Sequence, residues 1–213
     1  VMGYNAGGAL TTGGSNIAMG AYALDAAVSG SHNTALGNAA LSAATGTYNT
    51  ALGSAAMQTT TTGDRSTALG YAALYDNTTG ANNTAVGGNA MSAITEGLYN
   101  VAMGHNALYT NTTGDCNIAI GMNALYSATT ANSNTGVGYE ALKGVTTGQY
   151  NTAVGRQALG SGTLTAGNNT AVGYQALQNT TSGPSNTAVG QICFQDNTTG
   201  QANTGLGYGA GSN

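Results

Sequence analysis

A tandem repeat of 17 residues is the feature that most restricts how this chain can fold. The string Asn-Thr-Ala-Val-Gly occurs at 83–87, 151–155, 169–173 and 186–190, and related strings fill the gaps between these copies. The closing glycines are 17 residues apart, except for one spacing of 16 and one of 18. Because the period runs through the whole chain, we expect one repeat array over residues 1–213, a segment of a longer fibre. The closing glycines are Gly3, Gly20, Gly37, Gly53, Gly70, Gly87, Gly104, Gly121, Gly138, Gly155, Gly173, Gly190 and Gly207.

Each repeat is numbered here from its asparagine, so that the closing glycine occupies position 5. Position 1 is Asn in every complete repeat except one, where Ser66 replaces it. Position 2 is Thr, Ile or Val, position 3 is Ala or Gly, and position 4 is always an aliphatic residue or Met. Position 8 is nearly always Ala and position 9 usually Leu or Met, and a Thr-rich turn that ends in Gly follows, as at 77–80 and 111–114.

The repeat predicts β-structure. A unit of 17 residues is shorter than the ~33 residues that two packed helices need, and its glycines would break a helix. Positions 2–4 carry β-branched and small residues that favour a strand, positions 6–9 suggest a second short strand, and the Asn, Thr and Gly residues that follow favour a turn. We therefore expect an all-β fold, a parallel β-solenoid (β-roll) of about twelve 17-residue coils. Both changes in repeat length fall after position 9, in the predicted loop.

The distribution of apolar and charged residues predicts the core. Positions 4 and 9 are consistently apolar, and charged residues are absent from positions 1–5, 8 and 9. Since charges avoid the interior of proteins, we expect positions 4 and 9 to be buried, so that Val86→Asp would prevent folding or assembly. At position 5 we expect glycines such as Gly70 and Gly121 to have a positive φ or to lie where a Cβ atom would clash.

The low charge excludes several functions. Charged residues make up 5% of the chain, against roughly 25% in an average globular domain. The chain has three Lys and Arg residues and seven Asp and Glu residues. Three cationic side chains are too few to bind nucleic acid or an anionic membrane surface. No apolar run approaches the ~18 residues of a membrane span, so we expect no membrane insertion.

No catalytic, cofactor-binding or metal-binding residue is predicted. His32 and His105 belong to different coils, so they do not form a ligand pair. Asp76 and Asp196 share position 11 but lie seven coils apart, which is too far for a catalytic pair.

The two cysteines are also expected to act independently. Cys116 and Cys193 are more than four coils apart in the predicted solenoid, about 20 Å, whereas a disulfide requires Cα atoms within ~7 Å. Cys193 occupies position 8, where Ala is usual, and we expect a buried free thiol there, while Cys116 could be exposed.

Tyrosines recur at positions 6, 10 and 17 of the repeat. One interpretation is that these rings stack, half-buried, in the turns and widen a thin core. The other is an aromatic ladder that grips glycans or a sister chain. The sequence alone does not assign a binding residue. The tyrosines are Tyr71, Tyr139, Tyr174 and Tyr208 at position 6, Tyr75, Tyr109 and Tyr126 at position 10, and Tyr48, Tyr99 and Tyr150 at position 17.

The unit Asn-Thr-Ala-Val-Gly-Tyr-Gln-Ala-Leu-Gln-Asn-Thr-Thr-Ser-Gly at 169–183 resembles repeats of bacteriophage tail-fibre proteins and related bacterial fibre proteins. More distantly, it is similar to the head repeats of trimeric autotransporter adhesins, whose Ala-Ile-Gly strands coil into a trimeric left-handed β-roll, although the 17-residue period is longer than in those heads. The resemblance covers essentially the whole chain. It implies an extracellular fibre on a virion or a cell surface and, as partners, sister chains and a cell-surface glycan or receptor.

Three functions follow as hypotheses. The first is the structural shaft of an extracellular fibre, a phage tail fibre or bacterial surface adhesin, that mediates attachment to a host or surface as a homotrimer. Three parallel chains would bury the remaining apolar and Thr faces and protect the strand edges. The second is an ice-binding β-solenoid that uses a Thr ladder. The third, an enzyme such as a polysaccharide lyase, lacks the clustered acidic and basic residues that it needs, so we expect no enzymatic activity. The Thr ladder comprises Thr34, Thr50, Thr67 and Thr84, and Ile17, Val101 and Ile118 interrupt it.

Overall fold

The chain is an all-β parallel β-solenoid in a computed structural model that describes residues 1–211, as the sequence predicts. Two compact units divide the chain, Val1–Asn106 (unit 1) and Ala107–Asn213 (unit 2). Each unit contributes one three-residue strand per coil. The strands of unit 1 are β1 (Ile17–Met19), β2 (Thr34–Leu36), β3 (Thr50–Leu52), β4 (Thr67–Leu69), β5 (Thr84–Val86) and β6 (Val101–Met103). Those of unit 2 are β7 (Ile118–Ile120), β8 (Thr135–Val137), β9 (Thr152–Val154), β10 (Thr170–Val172), β11 (Thr187–Val189) and β12 (Thr204–Leu206).

The strands occupy positions 2–4 of every repeat, as predicted, and consecutive strands within a unit pair in parallel. Equivalent positions stand opposite each other, for example Thr50 opposite Thr67 and Ala51 opposite Ala68. Register is kept even across the 16-residue repeat, where Thr34 stands opposite Thr50. The loop after position 9 therefore absorbs the change in length, because only that segment can shorten without moving a strand.

The interior of each coil is narrow and is filled mainly by alanine and leucine. Position 3 of the strand points inward, and Ala35, Ala68 and Ala153 are completely buried. Position 8 is buried as well, and the largest buried side chain of most coils is the Leu or Met at position 9, such as Leu74 or Leu142. Burying one such side chain stabilises the fold by about 1.5–3 kcal/mol. The prediction that position 9 lies in the core is thus confirmed.

The corresponding prediction for position 4 is wrong. Successive side chains of a strand point to opposite faces, so burial of Ala at position 3 turns positions 2 and 4 outward. Val154 is 39% exposed and Leu69 is 42% exposed, and Val86 is only half-buried. The expectation that Val86→Asp prevents folding falls with this assignment, since an aspartate at Val86 would reach water. Its expected effect on assembly stays a prediction.

The second predicted strand, at positions 6–9, is a turn. Positions 7 and 9 have left-handed backbone conformations in residues other than glycine, for example Ala39 with φ 53° and Leu41 with φ 50°. These conformations still join the coils, because Ala39 donates its N–H to Ala21 O of the preceding coil (2.9 Å) and Leu41 donates to Ala56 O of the next (3.0 Å). A left-handed residue costs about 1–3 kcal/mol, so the contacts between coils impose this conformation. The residue types at these positions do not predict a left-handed conformation, since even the β-branched Ile192 adopts φ 52°.

The glycine at position 5 is required for two reasons, and both halves of its prediction are confirmed. All thirteen closing glycines have φ between 115° and 144°, a region that residues with a side chain rarely adopt. In addition, a Cβ atom on Gly70 would lie 2.6 Å from Gly87 O of the next coil, and one on Gly121 would lie 2.5 Å from Gly138 O. Coils stacked at the spacing of a β-sheet leave no room for a methyl group at this corner.

A ladder of buried amides lines the inner side of position 1. Asn33, Asn49 and Asn134 are almost completely buried. The Asn49 N–H donates to Asn33 Oδ1 of the preceding coil (2.8 Å), and Asn49 Nδ2 donates to Gly63 O at the end of the Thr-rich turn (2.7 Å). Each asparagine therefore satisfies its own polar atoms while fixing the turn to the strand, which explains why the repeat keeps Asn at a buried position.

Candidate interaction surface

The outer face of the strands is the candidate functional surface, and it is formed by positions 2 and 4. In the burial pattern of nearly every strand, an inward alanine or glycine at position 3 separates two outward residues. Neighbouring strands lie ~4.8 Å apart, and positions 2 and 4 of one strand are separated by about 7 Å. Each unit therefore presents two parallel columns of side chains with the period of the coils.

Position 4 forms an uncovered apolar column. Val154 and Val172 in unit 2 remain 39% and 36% exposed although each has a neighbouring coil above and below it. Leu206 in β12 is the last residue of this column, and it is 79% exposed. The difference in exposed fraction shows how much of a position-4 side chain the stacking of coils covers. Adjacent coils cover the flanks of the side chain, and its outer surface stays in contact with water. The members of the column are Met19, Leu36, Leu52, Leu69, Val86 and Met103 in unit 1, and Ile120, Val137, Val154, Val172, Val189 and Leu206 in unit 2.

Position 2 forms a threonine column beside it. The hydroxyl-bearing side chains are exposed or half-exposed, as at Thr50 and Thr152. The column is interrupted at Ile17, Val101 and Ile118, as the sequence indicates. Unit 1 has Thr34, Thr50, Thr67 and Thr84, and unit 2 has Thr135, Thr152, Thr170, Thr187 and Thr204.

Aromatic and cationic side chains border this face on both sides. At position 6, Arg156 lies between two tyrosines, with its guanidinium carbon 5.5 Å from the ring centre of Tyr139 and 5.8 Å from that of Tyr174. At position 17, His32 stacks on Tyr48 with ring centres 4.9 Å apart. The Arg65 guanidinium carbon lies 5.9 Å from the same Tyr48 ring. These ring and cation–π contacts order neighbouring side chains locally at positions 6 and 17.

The tyrosines divide between the two interpretations by position. Tyr109 and Tyr126 at position 10 are half-buried and stacked, with ring centres 5.3 Å apart, as the packing interpretation predicts. Tyr71 at position 6 and Tyr99 at position 17 are 64% and 60% exposed, so these rings do not widen the core. Their exposure is the property that an aromatic contact surface requires.

The outer face and its two borders at positions 6 and 17 carry almost no charge. Positions 17, 2, 4 and 6 contain no Asp or Glu anywhere in the sequence, and Arg65 and Arg156 are the only Lys or Arg residues at these positions. The acidic residues lie in the turns instead. Asp76 in unit 1 and Asp196 in unit 2 are exposed, and Asp196 Oδ1 accepts a hydrogen bond from Asn179 Nδ2 (2.7 Å).

The one salt bridge seen in residues 1–211 lies in a polar groove of unit 2. Lys143 Nζ donates to Glu140 Oε1 (2.7 Å), and Gln157 Nε2 donates to Glu140 Oε2 (2.9 Å). These hydrogen bonds, that of Lys143 first, hold the pKa of Glu140 below its usual value. Gln175 Nε2 continues the chain of hydrogen bonds to Gln157 Oε1 (3.0 Å), so the ion pair ends a structural ladder of side chains.

The remaining reactive side chains are dispersed. Both cysteines are free; Cys193 is completely buried beneath Gly205, as predicted, and Cys116 is exposed. Burial raises the pKa of the Cys193 thiol. Across residues 1–211, no three His, Cys, Asp or Glu side chains are grouped so that they could hold a metal ion. In the same part of the chain, no helix has the length and apolar character needed to cross a membrane.

Comparison with known proteins adds no identity to this geometry. No known protein family, curated protein or solved structure matches the chain.

Proposed function

We propose that this chain is the structural shaft of an extracellular fibre, of the kind found in phage tail fibres or bacterial surface adhesins, and that it supports attachment to a host or surface. The observation that carries the proposal is the repetition of one coil. The strand, the position-5 corner and the buried asparagine recur in nearly the same form along both units, while sequence variation falls in the turns and on the outer surface. Such an array can be lengthened by adding coils, which is the property that a spacer needs.

Self-association is part of the proposal. A homotrimer of parallel chains gives the shaft lateral stiffness and covers the apolar columns that a single chain leaves in water. A cell-surface glycan or protein receptor is the proposed attachment partner, and exposed tyrosines such as Tyr71 and Tyr99 of unit 1 are the residue type that stacks on sugar rings.

Light scattering under native conditions tests the assembly. A mass three times the 20.8 kDa of one chain, constant over a hundredfold dilution, is the expected result. A well-folded particle with the mass of one chain would contradict a trimeric shaft.

Ice binding is the second candidate, because Thr135, Thr152 and Thr170 are half-exposed at equivalent positions of successive strands in unit 2. Against it, the neighbouring column at position 4 is purely apolar. Thermal hysteresis of the purified chain separates the two candidates. A freezing point lowered below the melting point would favour ice binding, whereas no gap between them is expected for a fibre shaft.

A further inference from the structure

We propose that the outer strand face of unit 2 is the surface through which this chain binds a second copy of itself, with the position-4 column at the centre of the contact. This inference rests on the self-association proposed above and adds the residues that mediate it. The column comprises Ile120, Val137, Val154, Val172, Val189 and Leu206.

The exposed apolar side chains indicate where the contact lies. Soluble monomers rarely leave a continuous apolar strip in water over many residues. In unit 2 the column runs without interruption through six consecutive strands, and Val154, Val172 and Val189 keep 36–39% of their surface exposed. The inner walls of the coils already hold their own apolar side chains, so nothing within a coil can cover this strip.

The size of the face matches a stable protein interface. Positions 17, 2, 4 and 6 in each of the six coils of unit 2 present 24 residues along one side of the strands. Stable interfaces use roughly 20–30 residues from each partner, with an apolar centre and a more polar rim. Here the position-4 column supplies the centre, and Thr152, Tyr139 and Arg156 belong to the flanking columns.

The spacing and charge of the face identify the partner. Side chains in a column recur at the ~4.8 Å spacing of stacked strands, so only a partner with the same repeat stays in register along the whole contact. A second copy of this chain has that repeat by construction. Arg156 is the only Lys, Arg, Asp or Glu residue at the outward positions of unit 2, so two such faces meet with little charge repulsion and offer little to a highly charged partner.

The test replaces the apolar centre without touching the core. In the full chain, the triple variant Val154→Glu, Val172→Glu and Val189→Glu places three carboxylates on the proposed contact. The matched control places the same three charges in the Thr-rich turn, as Thr130→Glu, Thr147→Glu and Ser182→Glu. These control residues are exposed at position 14, where the chain itself has Glu96. Native mass is measured by light scattering, and folding by circular dichroism and thermal melting.

We expect the face variant to fall to the mass of one chain while it keeps its β-spectrum, and the control to keep the mass of the wild type. A folded face variant that retains the wild-type mass would overturn the assignment of the face and leave the fibre proposal standing. A monomeric wild type would instead overturn self-association itself.

A milder variant keeps the inference testable if the glutamates prevent folding. Val154→Thr, Val172→Thr and Val189→Thr preserve the shape and β-branching of the side chains and repeat the residue type of position 2. We expect the protein concentration below which the particle dissociates into single chains to rise at least tenfold. An unchanged dissociation profile in this folded variant would contradict the proposed surface.

Discussion

Positions 4 and 9 of the repeat are both consistently apolar, yet position 9 points into the interior of the coil and position 4 points to its outer surface. Leu142 at position 9 is completely buried, whereas Val154 at position 4 is 39% exposed. The strand period explains position 4, because alanine at position 3 takes the inward direction and leaves its neighbours outside. The left-handed turn explains position 9, because it directs a large side chain back into the coil. Apolar character that recurs at one position of a repeat therefore indicates a buried surface only after the backbone has been traced.

The largest expected difference in stability comes from placing the same charge at position 9 and at position 4. Leu142→Asp puts a carboxylate in the completely buried interior of the coil, so we expect no cooperative unfolding transition. Val154→Asp reaches water, and the monomer should remain folded, with a loss in unfolding free energy of about 1 kcal/mol or less. Circular dichroism with thermal melting measures both. Equal loss of structure in the two variants would remove the distinction between the positions.

The corner that joins the strand to the turn allows strain and collision to be separated. Gly70 has φ 138°, and a Cβ atom there would lie 2.6 Å from Gly87 O. Gly207 has φ 115° but open space around its Cα. We expect Gly207→Ala to cost about 1–3 kcal/mol from backbone strain alone, and Gly70→Ala to cost about 4 kcal/mol because overpacking is added. Urea denaturation gives both values, and similar losses would show that the contact between coils yields easily.

Replacing Ser66, which interrupts the ladder of buried asparagines, with Asn should stabilise the fold. At position 1, Ser66 Oγ accepts a hydrogen bond from Asn83 N at 3.2 Å, but serine has no amide to reach Gly80 O. Gly80 O already accepts from Asn77 Nδ2 (2.9 Å). In the coil of Gly200, the equivalent carbonyl accepts from both Asn186 Nδ2 (2.8 Å) and Asn197 Nδ2 (3.2 Å), so a second donor to Gly80 O fits.

We therefore expect Ser66→Asn to raise the unfolding free energy by about 1 kcal/mol, and Ser66→Ala to lower it by a similar amount, because the buried Asn83 N–H loses its acceptor. Denaturant titration measures both variants. A destabilised Ser66→Asn protein would show that this coil has no space for the longer side chain.

The smallest predicted effect concerns pH at position 8. Burial raises the pKa of Cys193 above its ordinary value of 9.0, so the unfolded chain loses this proton before the folded chain does. Its contribution to stability is complete below about pH 9 and is lost as pH rises toward the higher pKa of the folded state. Cys193→Ala, which installs the usual residue of this position, should remove that part of the alkaline loss. Melting temperatures from pH 7 to 10 test this, and a wild type and variant that fall in parallel would contradict it.

The sequence predicts the solenoid, its strands, the corner glycine and the burial of Cys193, because each depends on a fixed period and on simple steric rules. It does not predict the turn at positions 6–9, since residues such as Leu41 and Ile192 adopt left-handed conformations that their types disfavour. Position 4 is misassigned for a different reason: its consistent apolar character and lack of charge indicate burial, whereas the inward alanine or glycine at position 3 turns it outward. The outward columns could have been found from the invariant alanine or glycine at position 3, which marks the side of the strand where space is short.

The hydrogen bonds between coils run along the direction of stacking, as from Gly53 N to Leu36 O (2.8 Å) and from Gly70 N to Leu52 O (2.9 Å). A pulling force applied to the two ends of a unit therefore loads these bonds in series, and the coil with the weakest contacts opens first. One 17-residue coil, such as that from Thr50 to Thr67, lengthens from about 4.8 Å to about 56–61 Å when it opens. A unit therefore lengthens in nearly equal steps, one for each coil that opens. The sequence of each coil sets the force at which it opens, and the number of coils sets the total gain in length.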